Sequence, residues 1–324
     1  MTGVAIIADS KGKGFGFAKG VWEYVKGKEK RDFPIHLIDI ERTDFPDGEF
    51  KIRVKDNVRR KMCFFIHDGN KKPSDWFSEL AFSLDAMRFS SPSEINVVMP
   101  YVRFSRQDRK DESRVGVSAK VVAEVVSKHA DRAMTVDLHV AQMQEYFDIP
   151  LDNLYSFPVL IEHLQGKHKS LLENLVLVSP DAGGGKRIES LQKRLMKKGF
   201  RADVAYGNKK RGEDGEVEYI EIAGNVGGKN CLIIDDIISS GGTLIETAGA
   251  LRERKAKRVY AYGTHGLFTA GYGGFDALDE AMTSDTLYNN GRDRKIEVVS
   301  LINLFGEAIY RTIVGESLSD LFDK

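Results

Sequence analysis

Cysteine is almost missing from this chain: Cys63 and Cys231 are the only two among 324 residues. Each falls in an apolar strand pattern, which excludes a disulfide framework and fits buried thiols in a reducing cytoplasm. Net charge is missing as well. Lys plus Arg and Asp plus Glu both number 48, so no overall field draws the chain to nucleic acid or to an anionic membrane. Apolar runs such as Asn230 to Ile238 are broken by charge well short of the ~20 residues needed to cross a bilayer. Met1 to Asp9 turns acidic too early for a secretion signal. The expectation is a cytoplasmic protein with neither membrane nor nucleic acid among its partners. Low-complexity segments and short repeats are also absent.

What is present is a core. Hydrophobic residues make up 42% of the chain and charged residues 30%, the balance of a soluble globular protein, and the length suffices for two domains of ordinary size. In the first half, Val4 to Ala8, Ile35 to Ile40, Met62 to His67, Ile95 to Tyr101 and Ala133 to Leu138 read as short apolar strands. Asp75 to Arg88 and Ser118 to Lys128 have helical spacing, the latter with Val121, Val122, Val125 and Val126 on one side. In the second half the strands are Leu175 to Val178, Asp203 to Tyr206, Cys231 to Asp235, Val259 to Gly263 and Ile296 to Val299. The helix Lys186 to Lys197 carries Ile188, Leu191 and Leu195 on one face, and another covers Leu244 to Arg254. Such alternation predicts an α/β fold of doubly wound parallel sheets covered on both faces. The boundary is expected near Asn153 to Phe157, between two prolines, and the two halves read as distant structural copies.

Residues 231–243, Cys-Leu-Ile-Ile-Asp-Asp-Ile-Ile-Ser-Ser-Gly-Gly-Thr, carry the sharpest chemical signal. A buried strand runs into two carboxylates, Asp235 and Asp236, and then into a turn of small residues, Ser239, Ser240, Gly241, Gly242 and Thr243, before a helix. Such a turn lets backbone N–H groups converge on an anion at the helix N-terminus. The carboxylates would repel that anion, but they suit the vicinal hydroxyls of a sugar. A sugar phosphate meets both demands. The pattern resembles the phosphoribosyl-diphosphate-binding motif of the type I phosphoribosyltransferase fold, and does not by itself separate enzymes that make that diphosphate from those that consume it.

Other segments are less specific alone. Pro100 to Lys110 follows a strand, where open α/β sheets place ligands. Its arginines interleaved with aromatics suit a polyphosphate and a purine ring, or form a solvated loop. Asp137-Leu138-His139 places an imidazole at a strand end as a metal ligand or a cap. Gly207 to Gly215 is polar and basic at its centre, a mobile loop or a solvated hairpin. Gly183-Gly184-Gly185-Lys186 mimics a Walker loop but lacks its first glycine and final hydroxyl residue, so it reads as a helix-entry turn.

Taken in order, these segments closely resemble the ribose-phosphate pyrophosphokinase family. The likeness lies in Phe45-Pro46-Asp47-Gly48-Glu49, in Arg106-Gln107-Asp108-Arg109-Lys110, in Asp137-Leu138-His139 through Asp152-Asn153, in Ser179-Pro180-Asp181, in Lys209-Lys210-Arg211, and in the two acids with their glycine turn. The first ~30 residues depart from the family's opening, Lys210 stands where its middle arginine is usual, and Ser239 where an aspartate is common. The resemblance implies two phosphoribosyltransferase-like domains, 1–154 and 155–324, each a mostly parallel twisted sheet flanked by helices, with the last helix free to pack back on the first domain. It implies transfer of the diphosphoryl group of ATP to the C1 hydroxyl of ribose 5-phosphate, releasing AMP, in a homo-oligomer that is at least a dimer. Phe45, Asp47, Gly48 and Glu49 would meet ATP from a neighbouring subunit, and Arg106 and Gln107 from the subunit doing the chemistry. His139 and Asp181 would hold Mg2+, Lys209 and Arg211 would be the catalytic pair, and Asp235, Asp236 and residues 239–243 would hold ribose 5-phosphate. A phosphoribosyltransferase, or a non-catalytic partner of a true synthetase, is the alternative. The first would not need a second domain with Arg-Gln-Asp-Arg-Lys, and retention of the proposed catalytic groups argues against the second.

Overall fold

Short strands that are apolar along their whole length must be covered on both faces, and helices with a single apolar stripe supply the cover. The computed structural model of the protein describes residues 3–28, 33–181, 183–211, 217–287 and 296–322. It forms two compact units, Met1–Tyr155 with Thr286–Tyr288 and Leu301–Lys324, and Ser156–Asp285 with Asn289–Ser300.

The first unit holds strands β1 (Val4–Ala8), β2 (Ile35–Asp44), β3 (Phe50–Val54), β4 (Met62–Ile66), β5 (Glu94–Val98), β6 (Arg132–Val136) and β7 (Leu151–Leu154) in the order β3-β2-β1-β4-β5-β6-β7. The second holds β8 (Leu175–Ser179), β9 (Ala202–Arg211), β10 (Val217–Ala223), β11 (Asn230–Ile238), β12 (Arg258–Gly266), β13 (Glu280–Ser284) and β14 (Ile296–Val299) in the order β10-β9-β8-β11-β12-β13-β14. The two orders are the same: an antiparallel hairpin (β2 with β3, β9 with β10) forms one edge, and the other pairings are parallel. Both sheets reverse their winding beside their first strand, between β1 and β4 and between β8 and β11, the kind of switch point where α/β sheets open a crevice.

Helices α1 (Phe15–Lys26), α2 (Pro73–Phe89), α3 (Ser118–His129) and α7 (Ile302–Val314) lie in the first unit, and α4 (Phe157–Lys167), α5 (Gly185–Lys197) and α6 (Gly242–Glu253) in the second. In α5, Ile188, Leu191 and Leu195 are fully buried as their spacing predicts, each worth roughly 1.5–3 kcal/mol relative to exposure. The α3 expectation needs correcting. Val122 and Val126 are buried, but Val121 is 49% exposed, because α3 turns Ala119 and Ala123 to the core instead.

Helices α1 and α7 pack tightly through glycines. A Cβ at Gly20 would stand 2.7 Å from Ile302 Cδ1, and one at Gly306 would stand 2.4 Å from Tyr24. Phe17 meets Phe305 edge-on at 5.4 Å, which fixes the last helix into the first unit's core. Cys63 and Cys231 are free and buried, and burial pushes their thiols up to about 12 and about 11, so neither offers a reactive thiolate. Among the described residues no helix is long and apolar enough to cross a membrane.

Candidate active site

Strand β11 runs longer than its apolar stretch predicts. It continues through both acids to Ile238, because β12 extends alongside it and pairs Asp235 with Gly263 and Ile238 with Gly266. Gly263 is required there, since a Cβ would stand 2.4 Å from Ile238 Cγ1. The helix also starts earlier than predicted, at Gly242 and not Leu244. Gly241 takes φ +91 at the turn, and a Cβ on it would stand 2.6 Å from the Phe275 ring. Ile245 N–H donates to Gly241 O at 3.0 Å, and the Ser240 hydroxyl accepts from Gly242 N–H at 3.4 Å. Ser239 and Thr243 flank this turn half-buried. The result is a glycine-lined N-terminus facing the crevice beside β8, a cradle for an anion.

The two carboxylates are nearly out of water. The Asp236 side chain is 4% exposed and that of Asp235 22%. Asp235 Oδ1 accepts the N–H of Asp236 at 2.8 Å. Sequence reasoning missed the group that meets them. Arg187, in the first turn of α5, places Nη1 3.5 Å from Asp235 Oδ1 and Nη2 3.1 Å from Asp236 Oδ1. Its signal was the Lys186-Arg187 pair after the glycine turn, which looked like ordinary helix entry. Burial and then the neighbouring Asp236 charge push Asp235 up to about 7, against the pull of Arg187. Asp235 therefore holds its proton part of the time near neutrality.

Asp181 stands in the next turn of the same crevice, after β8. Its Oδ1 accepts the N–H of Gly184 at 3.0 Å, while the Ser179 hydroxyl donates to Asp181 O at 2.6 Å. A Cβ on Gly184 would stand 2.4 Å from that hydroxyl, so the glycine run serves as a close helix entry, as expected. Strand β9 passes this turn: Tyr206 pairs with Ser179, and a Cβ on Gly207 would stand 2.9 Å from Pro180 O. From there the basic segment departs from the loop expectation. Its backbone continues β9 through Lys209 and Arg211, paired with Ile220 and Val217 of β10, because the apolar alternation of Ile220 and Ile222 gives it a partner. Residues 212–216 of the expected loop lie outside the described residues. The second unit thus gathers Asp181, Asp235, Asp236, the residue 239–243 turn and the start of the basic segment at the carboxyl ends of adjacent strands.

The first unit holds the remaining predicted groups in two places. Phe45, Asp47, Gly48 and Glu49 form the exposed turn between β2 and β3. Gly48 takes φ +94, Gly48 N–H donates to Phe45 O at 3.0 Å, and Glu49 N–H donates to Asp47 Oδ1 at 3.0 Å. Arg42 anchors the hairpin on α2, reaching Glu79 at 2.7 Å and Asp75 at 3.2 Å and stacking on Phe50 at 4.0 Å. Arg106 and Gln107 lie in the turn after β5, with Arg106 exposed. The Gln107 amide donates to Arg109 O at 3.1 Å and to Gly116 O at 3.3 Å, so in this state it braces the loop. His139 follows β6, in a turn where Asp137 takes φ +43 and Leu138 N–H donates to Asn153 Oδ1 at 3.2 Å. Strands β1 and β4 stand between β2 and β5, about 14 Å at ordinary strand spacing, so the hairpin turn and the Arg106 turn sit on different parts of the sheet.

The first unit's own switch point carries a carboxylate. Gly12 and Gly14 open α1 as Gly184 and Gly185 open α5. The Asp68 carboxylate presses on them, 2.7–2.8 Å from where their Cβ atoms would be. Lys71 pairs with Asp9 at 2.7 Å and Glu79 at 2.7 Å. The Asp68 carboxylate stands at the helix N-terminus, beside a cavity lined by Asp9, Gly14, His67 and Pro100, and would repel an external anion there.

For a cation the donor set is suitable. The carboxylates of Asp181, Asp235 and Asp236 are hard oxygen donors, the chemistry that Mg2+ takes.

Comparison with known proteins agrees along nearly the whole chain. The family model described as the N-terminal domain of ribose phosphate pyrophosphokinase matches residues 18–129, the phosphoribosyl transferase domain matches 151–265, and the phosphoribosyl synthetase-associated domain matches 213–323. The chain is 40% identical over 287 residues to a ribose-phosphate pyrophosphokinase of Mesorhizobium japonicum, covering 86% of this chain and 90% of that one. It is 38% identical over 297 residues to one of Vibrio parahaemolyticus, covering 89% and 92%. The solved phosphoribosylpyrophosphate synthetase of Mycobacterium smegmatis superposes with a TM-score of 0.84 at 26% identity, over 97% of this chain and 99% of that one.

Proposed function

The chain belongs to the ribose-phosphate pyrophosphokinase family, and on that premise we propose how its groups carry the reaction. The protein is a ribose-phosphate pyrophosphokinase: it makes 5-phospho-α-D-ribose 1-diphosphate and AMP from ATP and ribose 5-phosphate. The observation that carries the substrate assignment is the Asp235–Asp236 pair beside the glycine turn of α6. The 5-phosphate takes the N–H groups of residues 240–243, and the ribose diol donates to the acids, which hold less than a full double charge near neutrality.

The C1 hydroxyl attacks the β-phosphorus in line. The new C1–O–Pβ bond forms, the Pα–O–Pβ bond breaks, AMP leaves with the bridging oxygen, and the hydroxyl proton passes to solvent. Such a transfer needs positioning and charge stabilisation more than covalent help. Lys209 and Arg211, emerging past the Asp181 turn, supply cationic charge to the β-phosphoryl group and the departing oxygen. Arg187 keeps Asp235 and Asp236 oriented toward the sugar. Arg106 and Gln107 bind the ATP polyphosphate. Phe45, Asp47, Gly48 and Glu49 bind ATP from a second subunit, so the active form is at least a dimer. The reaction uses a divalent metal, for which we propose Mg2+ held by His139 and Asp181. When bound it neutralises diphosphate charge. A cytoplasmic location accords with two buried free thiols.

The test is product analysis after incubation with ATP, ribose 5-phosphate and Mg2+. AMP should accumulate only when the sugar phosphate is present. Accumulation of ADP instead would mean γ-phosphoryl transfer and would overturn the proposal.

A further inference from the structure

At the amino-terminal edge of the second unit's sheet, away from the ribose 5-phosphate turn, two histidines and two glutamates converge. His163 lies in α4 and His168 just past its end, while Glu280 opens β13 and Glu297 lies near the start of the edge strand β14. His168 Nε2 is 2.6 Å from Glu297 Oε2 and 3.7 Å from Glu280 Oε2. His163 Nε2 is 3.1 Å from Glu297 Oε1, yet it is buried and off-line, with no hydrogen-bond partner among the described residues. One ligand atom from each of His163, His168 and Glu297 lies within 4.8 Å of the others, and the side chains are only 22%, 11% and 9% exposed. Among the described residues the lysine on Glu297 is Lys167, whose own side chain is 61% exposed.

We propose that this cluster is a structural site for a borderline divalent transition metal such as Zn2+, with His163, His168 and Glu297 as ligands and Glu280 beside His168. The reasons are chemical. Two imidazoles with a carboxylate select Zn2+, Co2+ or Ni2+ over the hard, oxygen-preferring Mg2+. Ligands at about 2.0–2.2 Å in tetrahedral array stand roughly 3.3 Å apart, and the three ligand atoms here all lie within 4.8 Å of one another. An ion between them satisfies the orphaned His163 nitrogen and offsets two adjacent carboxylates. It ties the end of α4 to the exposed edge of the sheet. The site does not depend on the proposed reaction, because none of its residues lies in the catalytic crevice.

The probe is Zn2+ alone, titrated calorimetrically into metal-stripped full-length protein in excess Mg2+, which occupies the oxygen-rich crevice. One tight equivalent should bind and raise Tm by several degrees. His163→Gln and His168→Gln should each weaken that equivalent by 100-fold or more, while His139→Gln leaves it intact. Lys167→Ala, at an exposed position, should tighten it several-fold by removing the competing ammonium. Substituting Co2+ should give the intense visible absorption of tetrahedral coordination. No saturable equivalent in the wild type, or equal affinity in both His163 and His168 variants, would overturn the proposal. So would loss of the equivalent in His139→Gln alone.

Discussion

Replacing Arg187 by glutamine removes a cation that faces Asp235 and Asp236. At 3.5 and 3.1 Å, each ion pair is worth on the order of 5 kcal/mol at an effective dielectric of 20. Arg187 is 23% and Asp235 22% exposed, so solvent screening reduces the effect on Asp235 to roughly 2 kcal/mol. The sign follows from charge. Without the guanidinium the ionised form of Asp235, already held up to about 7 by burial and Asp236, becomes less favourable, so the pair keeps its proton to higher pH. If sugar binding in the transition state needs the ionised pair, kcat/KM for ribose 5-phosphate falls on the acid side of an inflection near 7. In Arg187→Gln that inflection should move up by about 1.5 pH units, with KM for ATP nearly unchanged. Arg187→Lys should restore part of the shift, and Asp235→Asn should abolish the inflection. An acid limb unmoved in Arg187→Gln, or one that persists in Asp235→Asn, would refute the reasoning.

Three further outcomes are expected. His67 is buried against Phe65 and Trp76 with Nε2–H donating to Trp76 O at 2.8 Å, and burial holds it down at about 4. The unfolded chain takes up a proton there from about pH 6.5 downward and the folded one does not. About 3 kcal/mol of stability is therefore lost as pH falls from 6.5 to 4, and urea melts of His67→Gln should show a correspondingly flatter profile. Gly241→Ala combines a left-handed φ with a clash against the buried Phe275 ring. It should lower stability by about 2–4 kcal/mol and raise KM for ribose 5-phosphate at least tenfold, with KM for ATP as the control. Lys209→Ala and Arg211→Ala should each cut kcat by ~10² or more while moving either KM only a few-fold. Lys210→Ala should be far milder, and near-normal kcat in either of the first two would remove the basic segment from the mechanism.

The parts of the fold that were legible in sequence are those whose signal is local. An apolar run such as Leu232 to Ile234, ending in two acids and a glycine turn, announces a buried strand and a phosphate-binding helix start within thirteen residues. Strands β3, β7, β10 and β13 were not anticipated. Strand β7, Leu-Asp-Asn-Leu, is short and polar and owes its conformation to the neighbouring strand, whereas the alternation of β10, Val217–Ala223, is present in the sequence and was overlooked. Helices α1 and α4 were also missed, and α7 was expected only as a last helix able to pack back on the first domain. For α1 and α7 the decisive feature is the close glycine contact at Gly20 and Gly306, which exists only once residues some 280 positions apart have met. Arg187 belongs to the same class: its pairing with Asp235 and Asp236 spans strands that only the folded sheet makes adjacent. The Val121 error is of the opposite kind. The four valines span about 140° of the helix circumference, and the buried stripe is centred beyond Val126, on the side of Ala119 and Ala123, which leaves Val121 at its exposed rim.

The most direct test of the account is to follow the phosphorus itself, with ATP labelled separately at the α, β and γ positions and ribose 5-phosphate as acceptor. The account predicts that β and γ labels pass together, in equal amounts, to the C1 oxygen of the sugar, while the α label stays in AMP. Transfer of the γ label alone, or a sugar product without the β label, would contradict it.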